Sequence, residues 1–367
     1  MAVRIAASAV RTCLGDGPAT FAALLAGRDG VAPLRHFDAK RLNVTHGYQI
    51  PDDGPPEPLR ASRLLTDCVT EALRQAEIDP RTGRVLALVG TGLRELRAVE
   101  SGAPVDTERL HFGSALAATG LTGALTLSNA CSAGGHALAL AQDLIELGEA
   151  DAVVVGGTDT MTMSMLAMIG RVTEQPADRL RPFDADRRGV LLGEGAAALV
   201  VTAPDAARPG LGTVLATGLS CDAGHETAPD LDGILRAMRD ALDRAGITPA
   251  DVDLVAAHGT GTALNDPTEL AALRALFAGT APGPLVTAVK GAVGHTSGGS
   301  GLLSAAMVLE CLRTGSVPPI SGLRDPIPDA EGVRLVRAVT HAPLRTALVD
   351  SFGFGGLNAV TVLRAAA

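Results

Sequence analysis

The stretch TLSNACSAGGHAL, residues 126–138, decides the fold prediction because an extended, β-favouring segment meets a helix-like pattern at Cys131. A cysteine at such a junction lies near the positive end of a helix dipole, which favours the thiolate by at most about 2 kcal/mol. From that position alone, the thiol pKa is expected to fall by roughly 1.5 units from about 8.5. The alternative is an inert cysteine that fills a buried turn.

Composition narrows the class of protein. The chain has 367 residues, of which 47% are hydrophobic and 2% aromatic, and this suits tightly packed helices and sheets. A net charge of -9 gives no overall reason to bind nucleic acid or an anionic membrane. The apolar run at residues 5–10 is too short for a signal peptide or a membrane span. We therefore expect a cytoplasmic protein.

The cysteines and lysines carry further information. The five cysteines are scattered and lack metal-ligand spacing, so reduced thiols are expected, without a disulfide framework or a zinc site. The only lysines are Lys40 and Lys290, and Lys290 lies in the apolar, glycine-rich segment VTAVKGAVGH. A compact ammonium differs from the planar arginine fork, which suggests a specific role for Lys290, although a snorkelling surface lysine is the alternative.

Short β-branched runs alternate with helical patterns, which predicts an α/β protein. The segment PDDGPPEP at 51–58 is typical of a surface loop. Strands are predicted at 85–92, 124–130, 151–159, 196–204, 212–220, 252–261, 285–289, 346–355 and 359–365. Helices are predicted at 62–77, 132–148, 229–245, 266–278 and 298–314.

The order of these elements repeats. VLALVGTG matches VDLVAAHGTG, and the strand, turn and helix around Cys131 match those around Lys290 and His295. The strands DAVVVGGTD and AAALVVTAP match TALVDSFGFGG and NAVTVLRA. This predicts two βαβ-rich halves, 1–202 and 203–367, whose equivalent loops converge on one site. Two histidines in those loops, His258 and His295, could activate the thiol, although each alone could be a hydrogen-bonded core residue.

Several motifs together resemble the β-ketoacyl synthases of the thiolase superfamily, of the Cys-His-His kind. NACSAGG is similar to the nucleophile segment, AHGTGTALNDPTEL to the first histidine motif, VKGAVGH to the Lys-x4-His motif and DSFGFGGLNA to the glycine-rich loop. RPFDADRRGVLLGEGAAALV and FAALLAGRDGV extend the resemblance over almost the whole chain. It implies a thiolase-like fold of two duplicated halves in five layers, α-β-α-β-α.

The resemblance also implies an acyltransferase. Cys131 would take an acyl group from an acyl carrier protein or coenzyme A, and a malonyl-type extender would condense with it in fatty acid or polyketide biosynthesis. His258 and His295 would stabilise the enolate that forms as carbon dioxide leaves. Backbone N–H groups of Cys131 and Phe354 would form the oxyanion hole. No permanently bound cofactor or metal is implied, since the substrates travel on phosphopantetheine.

Supporting residues follow from the same resemblance. Lys290 would supply positive charge, paired with an acid for which Glu269 is favoured. Asp266 is expected mainly to cap a helix, because acids are favoured in a first helical turn. The phosphopantetheine contacts would come from Thr260 and Thr262. In the glycine-rich loop, Phe354 would gate the acyl pocket, while for Phe352 core packing is the simpler expectation.

Alternatives remain open at this point. The chain departs from the family at Gly291, at GHTSGGSG, at Leu357 and in a shortened region before Cys131. An acyltransferase, hydrolase or cyclase using the acyl-cysteine is one alternative, and a chain-length-factor-like partner subunit is another. A papain-like protease is disfavoured by the second histidine and the duplication. Expected partners are an acyl carrier protein, which would dock on local arginines, and a second subunit in a homodimer or a heterodimer with a related ketosynthase-like chain.

Overall fold

The computed structural model describes residues 2–51, 57–172, 174–204 and 210–366. Most of the surface loop predicted at 51–58 lies outside these residues. The described strands are β1 (Val3–Thr12), β2 (Gly15–Asp16), β3 (Ala32–Pro33), β4 (His46–Gly47), β5 (Val85–Gly90), β6 (Ala124–Leu127), β7 (Ala152–Asp159), β8 (Gly195–Thr202), β9 (Gly212–Cys221), β10 (Leu254–Ala256), β11 (Leu285–Thr287), β12 (Ser316–Val317), β13 (Arg334–Leu335), β14 (Thr340–His341), β15 (Thr346–Gly353) and β16 (Leu357–Ala365).

Helices of unequal length connect these strands. They are α1 (Gly17–Leu25), α2 (Ala39–Leu42), α3 (Arg60–Ala76), α4 (Leu96–Glu100), α5 (Thr107–Leu110), α6 (Gly113–Ala117), α7 (Ala133–Glu146), α8 (Met163–Val172), α9 (Leu231–Ala245), α10 (Asn265–Leu276), α11 (Lys290–Val293) and α12 (Ser300–Thr314). Each predicted strand and helix overlaps an observed one, because strongly periodic segments identify their own type.

The strand order of the main sheet confirms the duplication. In the first half the order is β1-β8-β7-β5-β6, and in the second it is β9-β16-β15-β10-β11. In both, the first two pairings are antiparallel and the last two parallel. A short antiparallel contact of β1 with β9 joins the halves into a 12-stranded sheet. The boundary predicted between residues 202 and 203 remains a prediction.

The helices supply the alternating layers. α3 packs on β1, β7 and β8 on one outer face, while α9 covers β9 and β16 on the other and is itself packed by α10. Between the halves lie α7 and α12, which contact each other and strands of both halves. The largest hydrophobic cluster lies around these two helices. The predicted α/β, thiolase-like arrangement of five layers is therefore confirmed, and it brings the starts of α7 and α12 together.

The sequence prediction missed β1, which lies at the centre of the sheet. Its side chains alternate between buried and partly exposed, with Val3, Ile5, Ala7 and Ala9 buried. Half of those buried residues are alanine, so the alternation in hydrophobicity is weak even though the alternation in burial is clear. In the described part of the chain, every helix is too short or too polar to cross a membrane.

Candidate active site

Cys131 lies in a short 3-10 turn, Ala130–Ser132, between β6 and α7. Ala130 adopts the left-handed conformation with φ of 49°, which bends the chain sharply before the cysteine. The residue as a whole is partly exposed, and its Sγ lies 3.0 Å from Nε2 of His295. The start of a helix from the first half therefore meets a histidine from the second.

The charge state of this thiol differs from the expectation based on the helix position. Burial raises the pKa of Cys131 to about 11, and the charge of Asp159 adds to the rise. Lys290 and the backbone N–H groups of Phe354 and Cys131 lower that pKa without reversing the effect. The predicted fall in pKa is wrong because loss of water outweighs the dipole. Cys131 is thus a neutral thiol at rest, with His295 placed to take its proton.

His258 follows β10, and its tautomer is fixed by its partners. The backbone N–H of Phe352 donates to its Nδ1 at 3.3 Å, and Lys290 Nζ lies 3.3 Å from the same atom. A ring nitrogen that accepts leaves the proton on the other, so Nε2 is the donor. Burial, Lys290 and His295 hold the pKa of His258 well below its ordinary value. His258 is therefore a neutral hydrogen-bond donor.

His295 is buried as deeply and faces the same space. Its ring meets that of His258 edge to face, with centroids 5.4 Å apart and planes at 88°. Burial and Lys290 hold the pKa of His295 well below its ordinary value. Among the described residues its Nδ1 has no hydrogen-bond partner, so its contact with Cys131 through Nε2 is the one that bears on its proton. A ring that is neutral and free to exchange its proton suits a base that acts on Cys131.

Lys290 begins α11 and is 1% exposed. Its Nζ donates to the backbone carbonyl of His258 at 2.6 Å, which holds the ammonium against the histidine loop. Burial lowers the pKa of Lys290 to about 8, while Glu269 is the largest charge that opposes this shift. The predicted positive charge beside the histidines is present at neutral pH.

Glu269, the acid predicted to accompany Lys290, lies on α10 together with Asp266. Glu269 accepts the backbone N–H groups of His258 at 2.6 Å and Gly259 at 2.9 Å, and it forms no ion pair with Lys290 within the described residues. The two interact through space instead, and burial raises the pKa of Glu269 to about 7. Glu269 therefore interacts with Lys290 through space rather than in a direct ion pair, because backbone N–H groups occupy its carboxylate. Its role in the network stays a prediction.

Asp266 does not cap its own helix. Its carboxylate accepts the backbone N–H of Phe183 at 2.6 Å and that of Gly261 at 3.1 Å, whereas the N–H of Asn265, the first residue of α10, donates to the Thr262 hydroxyl at 3.2 Å. Burial raises the pKa of Asp266 to about 6. The capping prediction is wrong because this acid holds the Gly-Thr loop against the segment around Phe183.

The aromatic and hydroxyl residues divide between core and surface. Phe352 is buried, and its ring lies 5.5 Å from that of His258, whereas Phe354 is 46% exposed on the loop after β15. The hydroxyl groups of Thr260 and Thr262 lie 3.0 Å apart on the loop that follows His258. The packing expected of Phe352 is observed, while the gate at Phe354 and the substrate contacts of both threonines remain predictions.

The structure explains the unusual Gly291. A Cβ on this residue would lie 2.0 Å from the carbonyl oxygen of Ser321, so that no side chain fits. In GHTSGGSG, a Cβ on Gly298 would meet backbone of Thr91 and Gly92 at 2.4 and 2.5 Å. These departures follow from close backbone packing around the site.

Two buried acids near the site were missed from the sequence. Asp159 ends β7 and accepts four hydrogen bonds, and Asp350 lies within β15, where neither of its oxygens has a hydrogen-bond partner in the part of the chain that the structure describes. Burial raises the pKa of Asp350 well above its ordinary value, with Glu269 adding to the rise and Lys290 opposing it. An acid inside an otherwise apolar strand was the available signal in both cases.

Comparison with known sequences identifies the protein family of this chain. The sequence model described as "Beta-ketoacyl synthase, N-terminal domain" matches residues 59–207, and "Beta-ketoacyl synthase, C-terminal domain" matches 211–324. The chain belongs to the β-ketoacyl synthase family. Nodulation protein E of Rhizobium meliloti (strain 1021) is 32% identical over 371 residues, which is 92% of each chain. The 3-oxoacyl-[acyl-carrier-protein] synthase 2 of Coxiella burnetii is 28% identical over 383 residues, 93% of this chain and 92% of that one.

Solved structures agree with this family. The ishigamide ketosynthase/chain length factor superposes with a TM-score of 0.89 at 29% identity, covering 99% of both chains. A β-ketoacyl synthase from Burkholderia phymatum STM815 gives 0.88 at 25% identity, also over 99% of both. The chain is thus a β-ketoacyl synthase, an acyltransferase of fatty acid or polyketide biosynthesis. Within the described residues, no group of three or more His, Cys, Asp or Glu side chains could hold a metal ion.

Proposed function

We propose that this β-ketoacyl synthase takes an acyl group onto Cys131 and condenses it with a malonyl-type extender. The observation that carries the proposal is the 3.0 Å contact between Cys131 Sγ and His295 Nε2, with the donor His258 beside it. In the first step the Cys131 proton moves to His295, and the sulfur attacks the thioester carbonyl. A new C–S bond forms, the old one breaks, and the departing thiolate takes the proton from His295.

Condensation uses the histidines as donors. The bond between the extender's carboxylate and its α-carbon breaks, carbon dioxide leaves, and the electron pair forms an enolate on the remaining thioester. Neutral His258 and His295 each stabilise its oxygen by roughly 3–4 kcal/mol. The enolate carbon then attacks the acyl-Cys131 carbonyl, whose oxyanion is held by the N–H groups of Cys131 and Phe354. Both groups already act on the sulfur, because both lower its pKa. The new C–C bond forms, the C–S bond to Cys131 breaks, and the departing Cys131 thiolate takes up a proton from solvent.

Substrates would arrive on phosphopantetheine of an acyl carrier protein or on coenzyme A, with no cofactor bound permanently. Thr260 and Thr262 would contact the pantetheine arm, since both lie on the loop directly after His258. The gate would be Phe354, whose exposed ring lies on a glycine-rich loop with positive φ at Gly355 and Gly356. A loop of this kind can move at little conformational cost.

Carrier docking is supported by a cationic patch formed by Lys40, Arg41, Arg171 and Arg188. All four are exposed, and none forms an ion pair with a described residue. α2 packs against α8, and Arg188 lines a crevice with residues of both neighbourhoods. The N–H of Gly189 donates to the Gly261 carbonyl at 3.0 Å, so this patch adjoins the Gly-Thr loop. An acidic carrier would be attracted here despite the net negative charge of the chain.

Salt dependence tests this docking. The affinity of an acyl carrier protein should fall several-fold between low and physiological salt, and Arg188→Glu should weaken it further. The matched control is Arg313→Glu, because Arg313 lies on α12 and pairs with Glu310. Affinity that is indifferent to salt and to Arg188→Glu would exclude this patch.

A second subunit is supported by the free edge at β6. This strand ends the sheet, and Leu125 on it is 53% exposed. Free strand edges are prone to pair with another chain. We expect a homodimer, or a heterodimer with a related ketosynthase-like subunit, to cover this edge. Light scattering should report a dimer, of the chain alone or with the related subunit, that Leu125→Lys dissociates. A wild type that stays a monomer both alone and with that subunit would contradict this expectation.

Mass spectrometry with acyl and malonyl carrier proteins tests the reaction itself. The expected result is acylated Cys131 followed by a β-ketoacyl carrier and carbon dioxide, with Cys131→Ala as the control. Acylation without carbon dioxide release would favour the acyltransferase, hydrolase or cyclase alternative. An assembled system that stays fully active with Cys131→Ala would favour a chain-length-factor-like subunit.

A further inference from the structure

Asp159 joins the two halves of the molecule directly beneath the site. Its carboxylate, 1% exposed at the end of β7, accepts the Thr91 hydroxyl at 2.7 Å and the N–H groups of Gly92 at 2.8 Å and Leu93 at 2.7 Å. Its fourth donor is the N–H of Gly298 at 2.7 Å, which belongs to the second half. Gly298 lies in the turn Ser297–Gly299, between His295 and α12.

The backbone segments of the two halves pack closely around this carboxylate. A Cβ on Gly92 would lie 2.2 Å from Ser297 Oγ, and one on Gly157 would lie 2.9 Å from Gly299 Cα. Ser297 itself adopts a positive φ of 46°. A positive φ in a residue other than glycine is strained, and it persists only where surrounding interactions hold the backbone. The bond from Gly298 to Asp159 is one that holds this turn.

Asp159 also acts on the nucleophile through its charge. Burial raises the pKa of Asp159 to about 6, so at neutral pH most molecules carry the carboxylate. Its charge raises the pKa of Cys131, while the charge of Lys290 lowers it. One anion and one cation therefore act on the thiol in opposite directions.

We propose that Asp159 is a positioning residue for the Cys131–His295 pair. Its carboxylate fixes the turn that follows His295, and its negative charge adds to the effect of burial in keeping the sulfur protonated until His295 removes the proton toward a bound thioester. The resting enzyme is thereby protected from alkylation and oxidation, since the thiolate is the reactive form. This inference rests on Cys131 being the nucleophile of the proposed function, but the alkylation test below needs no substrate.

The test is the pH dependence of Cys131 alkylation by iodoacetamide in full-length enzyme, with the modified site read by peptide mass. Asp159→Asn keeps the shape and removes the charge, so the midpoint should move down by about 0.5–1 pH unit. Asp159→Glu restores the charge and should return the midpoint toward that of the wild type. Condensation should fall about tenfold or more in Asp159→Asn, because an amide cannot accept from all four donors.

The matched control is Asp184→Asn. Asp184 is another buried carboxylate that accepts backbone N–H groups, here those of Arg324, Asp325 and Asp186. Its loss should leave the alkylation midpoint unchanged. Should Asp159→Asn fail to fold, Thr91→Val removes one donor and keeps the charge, and it should slow condensation several-fold without lowering the midpoint. An unmoved midpoint in Asp159→Asn, or an equal shift in Asp184→Asn, would overturn the proposal.

Discussion

The turn that carries Cys131 and the turn that carries His295 occupy matching places in the two halves, but their surroundings differ. Cys131 is partly exposed and faces the open loop of Phe354, which is itself 46% exposed. Every residue from 291 to 300 is buried, and the groups around it include Lys290 and Glu269, whose pKa values are shifted toward neutrality. Duplication has therefore given one accessible turn and one dry turn.

The difference suits the two stages of the proposed reaction. A turn beside an open loop can receive acyl chains of varied shape, whereas a dry turn strengthens hydrogen bonds to a developing enolate. Burial of ionisable side chains is unfavourable, and it is concentrated in the second half, where three acids and one lysine are buried around two histidines. The predictions below separate the two turns, starting with the largest expected effect.

Cys131→Ala separates them most sharply. Condensation should fall by more than about 10³-fold because the covalent intermediate cannot form. Release of carbon dioxide from a malonyl thioester should persist, since His258 and His295 remain in place. Product mass and carbon dioxide release measure the two activities. Simultaneous loss of both in a folded variant would show that the turns do not work separately.

His258→Ala should have the opposite pattern. Carbon dioxide release should fall by about 10²–10³-fold with the loss of one donor, while acylation of Cys131 should change less because His295 is the base. His136→Ala is the control, since the His136 ring bonds the Ser132 carbonyl just before its own helix. Acylation that fails as badly as carbon dioxide release in His258→Ala would place His258 at the nucleophile instead.

Loss of the positive charge of Lys290 should slow carbon dioxide release at high pH. Its pKa is lowered to about 8, so the ammonium is present below that pH and is lost as pH rises through it. Carbon dioxide release should therefore decline above about pH 8, with Glu269 and Lys290 titrating as an interacting pair. Lys290→Met should lower the rate and remove this decline. A decline that survives in Lys290→Met would belong to another group.

Asp350→Asn should have the smallest effect, and it concerns stability. An acid whose pKa is raised on folding contributes stability at low pH that is lost as pH rises, so Asp350 costs most in alkaline solution. At pH 8 the variant should be more stable by about 1–3 kcal/mol, or roughly 2–4 °C in Tm per kcal/mol. Asp151→Asn, an exposed partner of Arg84, is the control and should not stabilise. A lower Tm for Asp350→Asn would mean that the carboxylate is needed in the fold.

Much of the fold and the site geometry could be predicted because the chemistry lies at the ends of strongly patterned elements. The matching turns predict that Cys131 and His295 lie together, and the 3.0 Å contact agrees with this. The roles of these residues in catalysis stay predictions. The direction of the thiol pKa could not be predicted from one strand and one helix, because burial depends on the loops that cover the sulfur.

The missed acids have the same explanation. Asp159 and Asp350 each look like an ordinary strand residue, and their importance comes from partners far away in sequence. Asp266 was assigned to its nearest helix, whereas its donors come from Phe183 and Gly261. Local sequence patterns indicate hydrogen bonds between residues that are close in sequence. Hydrogen bonds between residues far apart in sequence are therefore the part of a site that such patterns predict least well.

The narrow contact between β1 and β9 has a consequence for folding. The two half-sheets meet through only the segments Val3–Ile5 and Gly212–Val214, so the backbone adds little to their union. Most of the contact between the two halves comes from α7 and α12, each of which contacts strands of both halves. Either half expressed alone would expose the apolar side of its long helix to water. The two halves should therefore melt in one cooperative transition, despite their separate sequence repeats.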